Sequence, residues 1–278
     1  MNWLVIARKE FDDAIRSRLL WGVVAFVAVL VSLTMLVPTL VPVLDADVLA
    51  GIGAASEFAA MLVPILALVA AYLAIAGERE SGSLRLLLGL EPSRGTVVVG
   101  KFVGRSVVVV AGLVIGFALA GMVAVAIYGS VPPVAFASLV GLTAILGVAF
   151  VGIAIGISAA TATRSRAMTL GVSAYLGLAL LWDLLPQGAY LVATGAPPGQ
   201  TVPAWFVFLQ GLSPSGAYSA LVMESIHLAD PSYPTVAATL GGTTPFYVQW
   251  WAFALVLVFW TVVPLVGGHF AFSRTDLN

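Results

Sequence analysis

Glu78-Arg79-Glu80-Ser81-Gly82-Ser83-Leu84-Arg85-Leu86-Leu87-Leu88-Gly89-Leu90-Glu91-Pro92-Ser93-Arg94 is charged and punctuated, and it separates two long apolar runs. In a chain with so few charges, such a cluster belongs in water. Ser83 is placed to cap a short helix and Pro92 to stop it. Leu84, Leu87 and Leu88 then share one face at i, i+3 and i+4, with Arg85 off that face. The spacing predicts a short amphipathic helix where membrane meets cytosol, presented to a partner.

The runs on either side set the fold class. The 278 residues are 61% hydrophobic and 9% charged, whereas a soluble domain carries roughly a quarter charged residues. Such a chain has too little polar surface to cover its own core, so the bilayer is its solvent. Backbone groups in lipid need internal partners, which leaves a helix bundle or a closed barrel. The apolar runs are long and continuous rather than alternating, so an all-α polytopic membrane protein is expected. Cysteine is absent, which excludes disulfides, thiolate metal sites and a catalytic thiol.

Outward from the opening stretch, six apolar segments are expected to cross the membrane, over 19–41, 57–76, 102–128, 134–160, 168–185 and 250–272. Each is near the ~20 residues a crossing needs. Pro64 is a candidate kink in the second, and Ser93 is placed to cap the helix entering the third. Before the first span, Asp12, Asp13 and Arg18 are unlike a secretory signal. Residues 1–18 read instead as an interfacial helix. Trp3, Ala7, Phe11 and Ala14 recur at helical spacing among Arg8, Lys9, Asp12, Asp13 and Arg16, so Trp3 and Phe11 are expected to dip toward acyl chains. Residues 77–101 form the charged connection. Residues 186–249 form a long, mostly uncharged segment before the last span. Its apolar pieces, 202–212 and 215–227, are too short to cross and suit re-entrant or interfacial helices. Trp205, Phe206, Phe208, Tyr218, Tyr247, Trp250 and Trp251 suit the outer headgroup level.

The basic residues give the orientation. All 12 Lys and Arg fall before the first span, in the second–third connection and the helix start after it, in the fourth–fifth loop, or at Arg274. The opposite segments carry Asp45, Asp47, Glu224 and Asp230 but no base. The positive-inside rule then puts both termini in the cytosol.

Several constellations compete for a function. Gly95-Thr96-Val97-Val98-Val99-Gly100-Lys101 has phosphate-loop spacing, but Phe102 stands where Ser or Thr would bind magnesium and no strand precedes it. The simpler reading is that Lys101 and Arg105, one turn apart, snorkel to headgroup phosphates. Gly112xxxGly116 and Gly152xxxGly156 permit close helix contact, either within the chain or between subunits. Glu224 and His227, at i and i+3, are too few for a metal and read as a hydrogen-bonded pair. His269 reads as a satisfied interfacial histidine. Asp183 and Glu57 lie near span edges, where an acid is a functional candidate. Ser213 and Ser215 with His227 lack the elbow or oriented triad of a hydrolase.

Glu78-Arg79-Glu80-x-Gly82-Ser83-Leu84-x-x-Leu87-Leu88, followed by Pro92-x-Arg94 and Gly100-Lys101, resembles the first cytoplasmic connection of type-2 ATP-binding-cassette (ABC) exporter permeases. It is most similar to the subgroup resembling the permease of the copper-enzyme (nitrous-oxide reductase) maturation system. The Ala7-Arg8-Lys9-Glu10-Phe11 leader, the six spans and the terminal Phe272-x-Arg274-x-Asp276-Leu277 extend the resemblance over the whole chain. Ser83 stands where Thr is more usual, which preserves the cap.

The resemblance implies a single transmembrane permease domain over 1–278, in the cell membrane, with the opening stretch as a coupling helix. Glu78, Arg79, Glu80, Gly82, Ser83, Arg85 and Arg94 would contact a separate cytoplasmic ABC ATPase subunit, with Leu84, Leu87 and Leu88 as apolar anchors. It implies two permease copies, identical or paired with a relative, membrane lipids as neighbours and no nucleic acid. ATP and magnesium would sit on the ATPase; the permease itself would bind no cofactor or metal and would not be an enzyme. A secondary transporter would need ion-coupling acids within the spans. An intramembrane enzyme would need clustered polar groups, and a membrane scaffold without transport is the remaining alternative. The cargo is not legible.

Overall fold

The computed structural model describes residues 2–16, 18–40, 47–83, 93–241 and 243–274. Among these, every regular element is helical. The order is α1 (Trp3–Arg16), α2 (Arg18–Leu40), α3 (Val48–Ala71), α4 (Ala76–Glu80), α5 (Arg94–Tyr128), α6 (Pro133–Ala160) and α7 (Arg164–Tyr175). A π-helical turn (Leu176–Leu180) leads to α8 (Leu184–Thr194), α9 (Ala204–Gly211), α10 (Pro214–Ala229), α11 (Val236–Thr239) and α12 (Trp250–Ser273).

Five helical stretches are long and apolar enough to cross a membrane, and a sixth crossing results if the bent pair Arg164–Leu180 and Leu184–Thr194 counts as one. The six expected segments all appear, with two changed boundaries. The second span begins at Val48, not near residue 57. Asp47 caps it by accepting from the Leu49 N–H at 3.1 Å, so an acid read as loop is a helix start. The fifth span does not end at residue 185. It bends by 46° and resumes. The π turn widens the helix, with Leu181 N donating to Leu176 O. Pro186 lies in the first turn of α8, where its missing N–H costs no bond. The expected cap at Ser93 is present, its Oγ accepting from Thr96 N at 3.1 Å.

α5 and α6 run side by side at the centre. α2 lies along α5, α12 along α6, and α3 against both α2 and α6. Leu113, Phe117, Leu139 and Phe150 fill the space between them. The small-residue faces are used within the chain. A Cβ on Gly112 would meet Val23, and one on Gly116 would meet Val27, both on α2. A Cβ on Gly156 would fall 2.2 Å from the Pro264 carbonyl oxygen of α12. Backbone approach of this kind replaces the hydrophobic effect as the glue where both alternatives are apolar.

α10 is not a surface helix. It packs against α3, α6 and α12. Tyr218, expected at the headgroup level, is fully buried and shares a 2.9 Å hydrogen bond with Thr143 of α6. A phenol has both a large apolar body and a polar tip, so pattern alone does not separate interface from core.

Candidate functional site

Two features concentrate polar chemistry, one at each end of the bundle. The first begins where α3 ends. The helix breaks over residues 72–75 and restarts as α4. The break frees backbone donors, and Ser158 Oγ of α6 accepts both Ile75 N and Ala76 N at 3.0 Å. That satisfies two buried N–H groups which would otherwise be costly, and it fixes the direction in which α4 leaves the bundle.

α4 then places its charges on three neighbours. Glu78 Oε1 accepts from Lys101 Nζ of α5 at 2.7 Å, and the same ammonium donates to Glu10 Oε1 of α1 at 2.6 Å. The other Glu10 oxygen pairs with Arg105 Nη2 at 2.6 Å. Arg79 Nη1 donates to the Thr161 carbonyl at 3.4 Å. Glu80 Oε2 accepts from the Arg164 N–H at 2.5 Å and so caps α7.

The pairing at Lys101 is buried: Lys101 is 1% exposed and Glu10 5%. Glycines allow it. α1 crosses α5 at Gly100 and Gly104, where a Cβ would sit 2.7 Å from Ile6 Cβ and from Glu10 Cβ respectively. The close crossing delivers Glu10 to Lys101 and Arg105. Burial pushes the Glu10 carboxyl up, but the Lys101 and Arg105 charges and the Lys101 hydrogen bond outweigh it, so its pKa lies below the ordinary 4.5. Two acids and two bases leave the joint neutral, which is how charge is retained in a low-dielectric site.

These contacts revise several sequence expectations. Lys101 and Arg105, expected at lipid phosphates, turn inward: Lys101 is enclosed by carboxylates and Arg105 is paired with Glu10. Glu78, Arg79 and Glu80, expected as contacts for a partner, are engaged within the chain. Arg94 is turned onto α12: its guanidinium stacks 5.3 Å from the Phe272 ring and donates to the carbonyls of Phe272 and Ser273. Gly82 takes a left-handed turn (φ 78°), and Ser83 Oγ bonds Ser81 Oγ and Glu78 O. Leu84, Arg85, Leu87 and Leu88 lie outside the described residues. On α1, Trp3, Arg8 and Lys9 are exposed and Phe11 is partly buried, whereas Ile6, Ala7, Glu10 and Ala14 face protein. Glu10 is the residue sequence reasoning missed. The available signal was its place three residues after Ala7 and four before Ala14, on the small-residue stripe.

At the opposite end, a cavity of about 760 Å³ opens between α3, the bend after the π turn, α9 and α10. Glu57, Asp183, Gln210 and Ser219 line it together with Phe58 and Trp182. Ser215 donates to Ala60 O at 3.1 Å, and Trp182 Nε1 to Leu209 O at 2.8 Å. The alternative chemistries find no geometry here. Ser213 caps α10 by accepting from Gly216 N, while His227 bonds Tyr233 O near the other end of that helix. At 1.5 Å per residue the two are roughly 21 Å apart. Glu224 accepts from Val236 N rather than pairing with His227. Residues 95–101 are helical and Lys101 is ion-paired, so the phosphate-loop spacing forms no loop. His269 Nδ1 is buried without a partner among the described residues, not satisfied as expected. No metal-binding cluster occurs among the described residues.

A family model for ABC-2 family transporter proteins matches residues 4–277. This chain belongs to the ABC-2 transporter family. Two relatives share that length. The probable ABC transporter permease protein NosY of Pseudomonas aeruginosa is 29% identical over 285 residues, covering 98% of both chains. The protein of the same name from Stutzerimonas stutzeri is 28% identical over 275 residues, covering 97% of both. The family fixes transport as the activity, and the cargo is unidentified.

Proposed function

We propose that this chain is the multi-pass cell-membrane permease subunit of an ABC exporter. ATP and magnesium are used by a separate cytoplasmic ATPase chain, and the permease acts as a pair of identical or related copies. The end bearing α1, α4 and Arg274 faces the cytosol, as the distribution of bases favours. Residues 84–92, between α4 and Ser93, are the coupling segment that docks the ATPase, with Leu84, Leu87 and Leu88 as the anchors. The observation that carries this reading is the joint at Lys101. Force applied to 84–92 passes through Glu78 into α5 and through Glu10 into α1, so a push on a short external segment moves two elements together. The neighbouring contacts of Arg79 and Glu80 extend the linkage to α6 and α7.

The joint also changes which variants test docking. Glu78→Lys and Glu80→Lys disturb contacts inside the permease, so loss of the ATPase in those variants would be ambiguous. Leu87→Asp with Leu88→Asp leaves the joint intact. Losing an apolar anchor costs about 2 kcal/mol, on the order of thirtyfold in affinity. Affinity purification of the permease co-expressed with its ATPase should recover correspondingly less ATPase from the Asp variant at unchanged permease Tm. Equal recovery from wild type and variant would remove the docking assignment.

A further inference from the structure

Arg79, Arg164 and Arg166 differ in pairing from Lys101, Arg105 and Arg8. Lys101 and Arg105 are neutralised by Glu10 and Glu78, and Arg8 faces Asp12 at 3.9 Å. Among the described residues, these three arginines form no ion pair. Two of them, Arg79 and Arg166, border an open pocket of about 620 Å³ beside the start of α7. Arg79 and Arg166 line it, with the hydroxyl-bearing Thr161, Ser165 and Thr169, and Leu170 closes one side. No acid lines it among the described residues, and the neighbouring Glu80 accepts from the Arg164 N–H. Two guanidiniums and no carboxylate line the pocket, which leaves it positive, and the N-terminal end of α7 adds to that field.

The surroundings distinguish among anions. α7 opens the fifth membrane span, so the pocket lies at the level where that span enters the bilayer. Met168, Leu170 and Val172 follow immediately and are exposed. A soluble anion would use the arginines and ignore these side chains. A molecule with a phosphate head and acyl tails uses both. Guanidinium is the donor best matched to phosphate oxygens, and basic pockets beside transmembrane helices hold anionic headgroups.

We propose that this pocket binds the phosphate headgroup of an anionic glycerophospholipid, with its tails along the exposed first turns of α7. This moves the proposed headgroup contacts from Lys101 and Arg105 to Arg79 and Arg166. Placing the lipid in the cytoplasmic leaflet rests on the orientation given under Proposed function; binding itself does not.

The test is native mass spectrometry of the full chain, delipidated in detergent and then offered phosphatidylglycerol or phosphatidylcholine. The wild type should retain phosphatidylglycerol on the order of tenfold better than phosphatidylcholine. Arg79→Gln with Arg166→Gln should erase that preference, and Arg79→Lys with Arg166→Lys should keep part of it. An unchanged Tm in phosphatidylcholine shows that the Gln variant is folded. Equal phosphatidylglycerol retention in wild type and Gln variant overturns the proposal. So does inorganic phosphate that displaces the lipid and protects the chain equally well, which marks a soluble-anion site. If the Gln variant binds phosphatidylglycerol like wild type but loses its ATPase, the arginines serve the protein partner and the lipid assignment is wrong. Loss of ATPase binding in Leu87→Asp, with lipid preference intact, bears on the coupling segment alone.

Discussion

The two ends of the bundle are held by different chemistry. At the end bearing α1 and α4, Glu10, Glu78, Lys101 and Arg105 meet within 2.6–2.7 Å and are largely enclosed. At the end bearing α9 and α10 there is no ion pair among the described residues: hydroxyls, indoles, carbonyls and the Glu224 carboxylate make single hydrogen bonds, and a cavity of about 760 Å³ stays open. A compact ionic joint resists separation of its members, because a lone charge left behind is costly. Neutral hydrogen bonds are worth about 1 kcal/mol each and exchange more readily. The first arrangement suits a part that transmits displacement. The second suits a part that rearranges around a passenger.

The contrast breaks most sharply at Lys101. Lys101→Met removes the ammonium between two carboxylates, and a buried pair cut in this way costs ~3–5 kcal/mol. Thermal unfolding of the purified chain should show the loss. Reversing the charges, Lys101→Glu with Glu78→Lys, should recover part of it. The same joint responds to pH. Because Glu10 is depressed in the folded chain, its contribution is fully present above the ordinary value of 4.5 and is lost as pH falls through the lower folded value. The hydrogen bonds of Ser215 and Tyr218 involve no acid. Acid titration followed by hydrogen exchange should therefore open α1 while those bonds persist.

Between the two ends, Gly156→Leu should cost roughly 1–3 kcal/mol or more, since the new side chain meets the Pro264 carbonyl and forces α6 from α12. Gly22→Ala, with nothing within 4 Å, should be neutral or slightly stabilising on the same measurement. In the core under α10, Tyr218→Phe strands the buried Thr143 hydroxyl at a cost of about 1–2 kcal/mol. Adding Thr143→Val should restore most of it. If Tyr218→Phe proves as damaging as Lys101→Met, the contrast between the ends fails. The smallest effect belongs to the exposed Arg8–Asp12 pair, where Arg8→Ala should change stability by less than about 0.5 kcal/mol.

The spans were legible because twenty-odd apolar residues without charge have few options in water or lipid. Errors fell where a residue type serves two roles. Asp47 looked like loop and is a helix cap. Tyr218 looked interfacial and is core. The ten residues assigned to docking share one linear stretch, and a linear reading cannot tell which charges turn back on the chain. Lys101 was the clearest case. One turn from Arg105 at the edge of a span, it fits a snorkelling cation, and nothing local reveals two carboxylates from 91 and 23 residues away.

Sequence alone determined where the long apolar segments fall, the basic and acidic ends and the family likeness, because these follow from composition and order along the chain. Tertiary structure decided which charges are satisfied internally. It brought Glu10, Glu78 and Lys101 together through the close crossing at Gly100 and Gly104, and among the described residues gave Arg79 and Arg166 no carboxylate partner. Partnering of charge depends on distance in space, which hydrophobic patterning does not encode.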